Sequence, residues 1–575
     1  MLSFIPLSAV ALAAAAAFFL RKQNRAVPDI FLCITFLLPF AAGGFHSYVS
    51  AVTAVLLTLH LLNTAKKQGY LLLTVNWNTL AVVLVLFGYC ITPFWAADKG
   101  MAVFGILRYL PLVLYILALM QLTPEQKRHC LDLIPMSGML MTVSSCLMLL
   151  IPGADAYLTV SNRLAGCLQY PNTFAAFLLA GLILQYSKDN RNRRDLLTDA
   201  VLVMGILLSG SKTVYVLLAV SVMVIVLIHR KAKILLILLG ILAAAAALRL
   251  LNSDFMEYAS TRFTSESFLL RLLYYKDVLP MILKNPFGYG YMGYRALEGT
   301  FQTGGYYVTY VHNGLLQLLF EIGWLPSLAM AAAFVRALFS RKTVPGRRLL
   351  LFALLAHCML DFDLQFFIFW AMLLSYLDFE TGKQHYLRWK TAGRVLASLC
   401  IVLSLWLGAV DLSYSCGKTD ITLRLLPCHT DSLSVRLRSA TDVQTLNETA
   451  DKILKVNPTF SLAYSAKANA ALASGDVLSM MTYKEQAIFC SPYTAEEYMD
   501  YFDKLHAVSK LYLRNGDDAS AEYCERKIVA LSRKIREVQE STDPLTEKIG
   551  DYTVLKLPIR YRLYMRMLND RYPQT

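Results

Sequence analysis

Residues 188–233 read KDNRNRRDLLTDAVLVMGILLSGSKTVYVLLAVSVMVIVLIHRKAK. Two apolar runs, 197–210 and 213–229, flank the short polar turn SGSKT, and a basic cluster closes each outer end: Lys188, Arg191, Arg193 and Arg194 before, Arg230, Lys231 and Lys233 after. About 20 apolar residues cross a bilayer, and roughly 17 suffice. Lys and Arg collect on the cytoplasmic side. Two basic ends joined by two apolar runs therefore read as a membrane hairpin, with Lys212 at the opposite surface.

Outward from this hairpin the same reading gives spans near 2–20, 29–45, 47–64, 76–95, 101–121, 130–151, 171–187, 233–251, 313–339, 349–362, 365–379 and 392–411. Either 29–64 or 349–379 could be a re-entrant hairpin, so the count is about 12–14. Charges follow the first run, at Arg21, Lys22 and Arg25, whereas a signal peptide carries them before it; the first run is read as a retained span with its N-terminus outside. The alternation of loop charge then holds throughout, with Lys66/Lys67, Lys127/Arg128, Arg341/Lys342/Arg347/Arg348 and Lys383/Arg388/Lys390 inside. Charged residues are 17% of the chain, against about 25% in soluble proteins. The net charge of +15 is therefore assigned to cytoplasmic loops. No basic run interleaves with aromatics, which argues against nucleic acid as a partner.

Two segments are not membrane. One is a loop, 252–311, holding a helical stretch at 267–284; the other is the tail, 412–575, placed outside by the same topology. In the tail Asn457-Pro458 recurs 34 residues on as Ser491-Pro492, and each is followed by an apolar-periodic helix and then by Gly475-Asp476 or Gly516-Asp517. A period of about 34 residues is that of tetratricopeptide helix pairs, a fold that binds partners or braces a domain. The fold class is thus all-α: a polytopic transmembrane bundle, 1–411, and an extracytoplasmic tetratricopeptide-like domain, 412–575. Cys416, Cys428, Cys490 and Cys524 in that tail either form disulfides, with three pairings open, or pack as small buried hydrophobes. No Cys/His spacing suits a metal, so neither metal nor cofactor is expected.

Charge in or beside a bilayer is costly and marks function. Arg108 lies within a span. Arg163, Lys212, Arg271, His312, Asn313, Asp361 and Asp363 gather at the outer ends of spans. Each also has a plainer reading: Arg108 satisfying a carbonyl in the bundle, Lys212 snorkelling, the Asp pair ending a span. His357 and His229 are read as structural. Arg and Lys offer fixed donors to a pyrophosphate. A histidine can take the proton of an attacking hydroxyl near neutral pH. Tyrosines of the glycine-rich run (Tyr289, Tyr291, Tyr294, Tyr306, Tyr307, Tyr310) offer flat faces to sugars, or form an aromatic belt. Together these types suit transfer of a glycan from a lipid pyrophosphate to a hydroxyl.

Five blocks resemble, in order and spacing, those of the O-antigen ligase and O-antigen polymerase superfamily: RLAGCLQYPNTFAAFLL (163–179), SGSKTVYVLLAV (209–220), RLLYYKDVLPMILKNPFGYGYMGY (271–294), VHNGLLQLLFEIGWLP (311–326) and HCMLDFDLQFF (357–367). The resemblance implies a multi-pass enzyme of the bacterial cytoplasmic membrane. It would act at the external face, without metal, on polyprenyl-pyrophosphate-linked saccharide, with inversion at the anomeric carbon. It implies that Lys212 and Arg271 hold the pyrophosphate, that His312 activates the acceptor, and that Asn313 and Glu321 support the His312 segment. The family has Arg where Lys212 stands; Lys lacks the planar fork, so the clamp rests on Lys212 or shifts toward Arg163 or Arg271. Arg108 and Tyr291 complete the expected substrate contacts, and Asp361 the support. The acceptor is a glycan, a lipid or a protein, and ligase and polymerase stay open. Two other readings stand beside this one. A flippase of the same lipid-linked glycan would set its charges at mid-depth and often shows two similar halves. A non-catalytic assembly scaffold would depend on its tail and not on His312.

Overall fold

The structure, a computed structural model, describes residues 27–187, 192–228, 266–340, 343–388, 390–550 and 553–572. The expected spans 2–20 and 233–251 lie outside these, as do loop residues 252–265, His229, and the basic positions Arg21, Lys22, Arg25, Lys188, Arg191, Arg230, Lys231, Lys233, Arg341 and Lys342; so does the side chain of Arg128. The chain forms two compact units. One takes the described parts of Met1–Thr92, Val103–Ser253 and His312–Leu425; the other takes Pro93–Ala102, the described part of Asp254–Val311, and Leu426–Thr575.

The first unit is built of apolar helices. Among the described residues four helices are long and apolar enough to cross a membrane: Ser47–Gln68, Trp77–Phe94, Lys99–Met120 and Thr391–Ser415. Five shorter apolar helices accompany them, at Asp29–Phe40, Ile134–Met148, Pro171–Tyr186, Lys212–Leu227 and Trp324–Phe339. Along Thr391–Ser415 the side chains of Leu396, Leu399, Val402 and Leu405 stand exposed. In water such a stripe would drive association; in a bilayer it is the lipid-facing side, and this is a membrane protein. The opposite side of that helix is small. Ser404 is buried, and a Cβ on Gly408 would meet Ala51 at 2.6 Å, so Thr391–Ser415 and Ser47–Gln68 approach backbone to backbone, as membrane helices with small seams do. Asp411 Oδ2 accepts from Tyr48 N at 2.9 Å, placing a carboxylate on the positive end of Ser47–Gln68.

Three stretches differ from the sequence reading. The expected span 313–339 is two helices, Gly314–Ile322 and Trp324–Phe339, broken where Gly323 takes φ +81°. The 29–45 run is α-helix only at Asp29–Leu32, then π-helix at Cys33–Leu37 and 3-10 helix at Leu38–Phe40; Pro39 and the left-handed pair Gly43-Gly44 stop a regular span. Finally, Tyr70–Val75 and Lys383–Arg388 form an antiparallel ribbon where the sequence suggested loops. The side-chain amide of Gln121 completes one edge, accepting from Leu72 N at 3.0 Å and donating to Leu72 O at 2.8 Å.

The second unit joins the loop to the tail. Its tail helices run Thr430–Ser439, Val443–Val456, Ser461–Ala473, Val477–Cys490, Ala495–Arg514 and Asp518–Glu540, then Ile559–Arg571. The Gly-Asp pairs work as punctuation. Gly475 and Gly516 take φ +81° and +73°, past the ends of their helices. Asp476 and Asp517 cap the next ones, accepting from Ser479 N at 2.9 Å and Ser520 N at 3.0 Å. The four tail cysteines are unpaired.

The loop helix Glu266–Lys284 and the segment 303–306 are joined to Asp543, Ile549 and Thr553. Lys276 pairs with Asp543, Asp543 N donates to Thr303 O at 2.9 Å, Gly305 N donates to Thr553 O at 2.7 Å, and Leu273, Tyr274, Tyr306 and Ile549 share one core. Arg295 grips Asp431 with both Nη atoms, at 2.9 and 3.2 Å. Two carboxyls are sealed inside the loop. Asp277 accepts from Thr303 N at 2.9 Å, Thr303 Oγ1 at 2.7 Å and Tyr306 OH at 2.6 Å; Glu298 accepts from Val308 N at 2.9 Å. Burial pushes Glu298 well above the ordinary carboxylate range, and the Asp277 charge adds to it. A raised folded-state value favours the protonated acid, so this contribution to stability is complete below the ordinary value and is lost as pH rises through the folded one. Glu298→Gln keeps the acceptor and removes the charge. Thermal unfolding followed between pH 5 and 8 is expected to lose stability with rising pH less steeply in the variant; equal slopes would show that Glu298 does not carry the dependence.

Candidate active site

His312 stands at a left-handed turn, with φ +57°. That conformation costs an ordinary residue about 1–2 kcal/mol, and such outliers cluster at functional sites. Its neighbour holds it there. Asn313 caps helix Gly314–Ile322, its Oδ1 accepting from Leu315 N and Leu316 N at 3.0 Å, while its Nδ2 donates to Met359 O at 2.8 Å. The turn that follows Met359 carries Asp361, whose Oδ1 lies 3.1 Å from His312 Nδ1. A carboxylate only accepts, so Nδ1 is the donor and the lone pair sits on Nε2. The histidine side chain is 18% exposed and the aspartate 1%. The ring of Phe362 closes edge-on against His312, centroids 5.0 Å apart.

A buried carboxylate needs partners, and Asp361 has a full set. Besides His312 it accepts from Phe362 N at 3.0 Å, Asn172 Nδ2 at 2.8 Å and Tyr170 OH at 3.2 Å. The chain of contacts continues outward. Asn172 Oδ1 accepts from Arg163 Nη2 at 2.6 Å, and Arg163 Nε donates to Ser209 O at 2.7 Å. Arg163 reaches that carbonyl from a two-residue hairpin turned by Ser161 and Asn162, both at positive φ. Gly210 lies flush against it, with a Cβ there meeting Arg163 Nε at 3.4 Å. The blocks at 163–179, 209–220, 311–326 and 357–367 are thus joined through Arg163, Asn172, Asp361 and His312.

The other expected site residues stand as follows. Lys212 opens helix Lys212–Ile228 and is exposed. Arg108 is buried in the bundle, donating to Gln365 O at 2.6 Å with its guanidinium 5.1 Å from the Phe45 ring centre; this is the plainer role read for it. Glu321 is buried and accepts from Tyr89 OH at 2.5 Å and Gln317 Nε2 at 2.8 Å, bracing the helix that follows His312. Arg271 is half-buried on Glu266–Lys284 in the second unit. Tyr291, Tyr294, Tyr306 and Tyr310 are buried, so of these rings Tyr307 is the exposed one; the face of Tyr291 is spent on packing. Tyr170, Asn172 and Thr173 escaped the sequence reading. Their signal was three polar groups around Pro171, the first residue of an apolar helix, where Asn at the second helical position is not needed as a cap.

A helical membrane protein with a carboxylate-anchored histidine and cations at the ends of its helices has the parts of a proton-transfer catalyst. The family model described as O-antigen ligase matches residues 197–331, so this segment is similar to that family. The match supports a membrane glycosyltransferase of the ligase or polymerase type. It takes in Lys212, Arg271, His312, Asn313 and Glu321; Arg163, Asn172 and Asp361 lie outside it. No curated protein and no solved structure matches the chain.

Proposed function

We propose that the protein transfers a glycan from a polyprenyl-pyrophosphate donor to a hydroxyl acceptor at the external face of the bacterial cytoplasmic membrane. The observation that carries this reading is the His312–Asp361 pair, with Nε2 on the ring edge away from the carboxylate, in a chain whose residues 197–331 match the O-antigen ligase family model. His312 Nε2 takes the acceptor O–H proton as that oxygen attacks the anomeric carbon. The bond from that carbon to the pyrophosphate oxygen breaks, and polyprenyl pyrophosphate leaves with the electron pair. Attack opposite the leaving group inverts the centre. Asp361 stabilises the imidazolium that forms. Lys212 and Arg271 hold the pyrophosphate charge. The tail, with helices that alternate at a tetratricopeptide-like spacing, is the docking module for an acceptor or an assembly partner.

The test is reconstitution in liposomes with a polyprenyl-pyrophosphate-linked oligosaccharide, reading released polyprenyl pyrophosphate and the size of the glycan. A ladder identifies a polymerase. A single shift on an added acceptor identifies a ligase. Arg271→Ala is expected to lower kcat/KM about 10–100-fold, the loss of one charge-assisted contact of about 1.5–3 kcal/mol. Donor that crosses the bilayer without cleavage would overturn the transferase reading in favour of a flippase.

A further inference from the structure

Two histidine–carboxylate pairs hang on one turn. His312 with Asp361 is the open one. The other is sealed: His357 Nδ1 lies 2.5 Å from Asp363 Oδ2, and the two side chains are 1% and 0% exposed. No substrate reaches His357, so it is not a base for the transfer. Yet a buried polar pair is costly, and apolar side chains of similar volume often serve stability as well or better. What such a pair adds is direction. Asp363 is gripped from two sides, by His357 and by Thr173 Oγ1, which donates to Oδ1 at 2.7 Å. Thr173 follows Asn172, and Asn172 grips Asp361. The first turn of helix Pro171–Tyr186 therefore meets both carboxylates at once, and His357 holds the second against it. Three further side chains hold main-chain oxygens of this stretch: Asn313 Nδ2 to Met359 O at 2.8 Å, Trp370 Nε1 to Leu364 O at 2.7 Å and Arg108 Nη2 to Gln365 O at 2.6 Å. These fix where the turn lies; the two carboxylate grips fix how it is rotated.

We propose that His357 is a positioning residue for the transfer: through Asp363 it locks the 359–365 turn in the rotation that aims Asp361 at His312. This rests on the reading of His312 as the base. A misplacement of about 1 Å in a catalytic group costs about 100-fold in rate, so a turn free to rotate would leave the protein folded and slow.

The test uses the full chain in liposomes with the oligosaccharide donor described above. His357→Leu strips Asp363 of a donor and is expected to lower kcat about 10–100-fold with the donor KM within about twofold. His357→Asn, whose amide nitrogen falls near the place of Nδ1, is expected to restore most of the rate. Should His357→Leu fail to fold, the double variant His357→Leu/Asp363→Leu removes the buried charge as well. It is expected to unfold at the temperature of the intact protein and still turn over slowly. A second readout needs no donor: the rate at which diethyl pyrocarbonate modifies His312, followed by peptide mass spectrometry. The double variant is expected to match Asp361→Asn. Wild-type kcat in the folded double variant would overturn the proposal, as would wild-type modification of His312 while Asp361→Asn alters it. If Asp361→Asn changes neither readout, the His312–Asp361 reading fails first and takes the proposal with it. Full turnover by His312→Ala in the same assay would overturn the base assignment and, with it, the proposal, whereas full turnover by the folded His357 variants beside an inactive His312→Ala would overturn the proposal alone.

Discussion

His312→Ala is expected to lower kcat about 10²–10⁴-fold, the range contributed by a positioned general base, which corresponds to about 3–5 kcal/mol of barrier. The reason is local. With Nδ1 committed to Asp361, Nε2 is the ring nitrogen left to take a proton, on a side chain that is partly exposed. Asp361→Asn is expected to fall nearly as far while donor binding persists, because an amide can donate to Nδ1 and so select the tautomer whose lone pair faces inward. The two variants should stay folded: His312 is partly exposed, and Asn172 Oδ1 still has Arg163. Steady-state turnover with saturating donor decides the matter. If His312→Ala retained more than a third of the intact rate, another group would have to take the proton.

Asp277→Ala is expected to cost the second unit about 3 kcal/mol or more. One buried carboxyl accepts from Thr303 N, Thr303 Oγ1 and Tyr306 OH; removing it takes that partner from the buried Tyr306 and from both donors of the half-buried Thr303, at about 1–3 kcal/mol for each donor left unsatisfied. Burial pushes the Asp277 carboxyl above its ordinary range, so Asp277→Asn, which keeps an acceptor without the charge, should cost much less. Amide hydrogen exchange across 302–311 reads this directly. Fast exchange in the alanine variant and near-native protection in the asparagine variant are expected. Unchanged protection in both would mean that the turn is held from elsewhere.

The sequence made the helices legible where the signal was local. Pro171–Tyr186, Lys212–Ile228 and Glu266–Lys284 fall within a few residues of their expected bounds, since apolar runs and their charged ends are written in consecutive residues. The ribbon was not legible. Lys383–Arg388 has no alternation and is mostly exposed, and each strand exists through its distant partner, where context outweighs propensity. At the site, His312 and Asp361 could be picked out as polar groups beside apolar runs, but their pairing spans 49 residues, and that of Asn172 with Asp361 spans 189; no periodicity encodes such contacts. His357 reads as structural in the sequence, and only the fold shows that Asp363, six residues on and past the end of the helix, is its partner.

The loop and the end of the tail share one core, and this sets an order of events during synthesis. Tyr306 emerges from the ribosome long before Ile549, its partner in that core. At ~5–20 residues per second, the roughly 240 intervening residues take about 12–50 s to make. For that interval Leu273, Tyr274 and Tyr306 have no Ile549 to close on, and Asp543 is not yet there for Lys276. The nascent loop is thus a waiting half-interface until Asp543 and Ile549 have been made, and any truncation that removes them leaves it permanently unfinished.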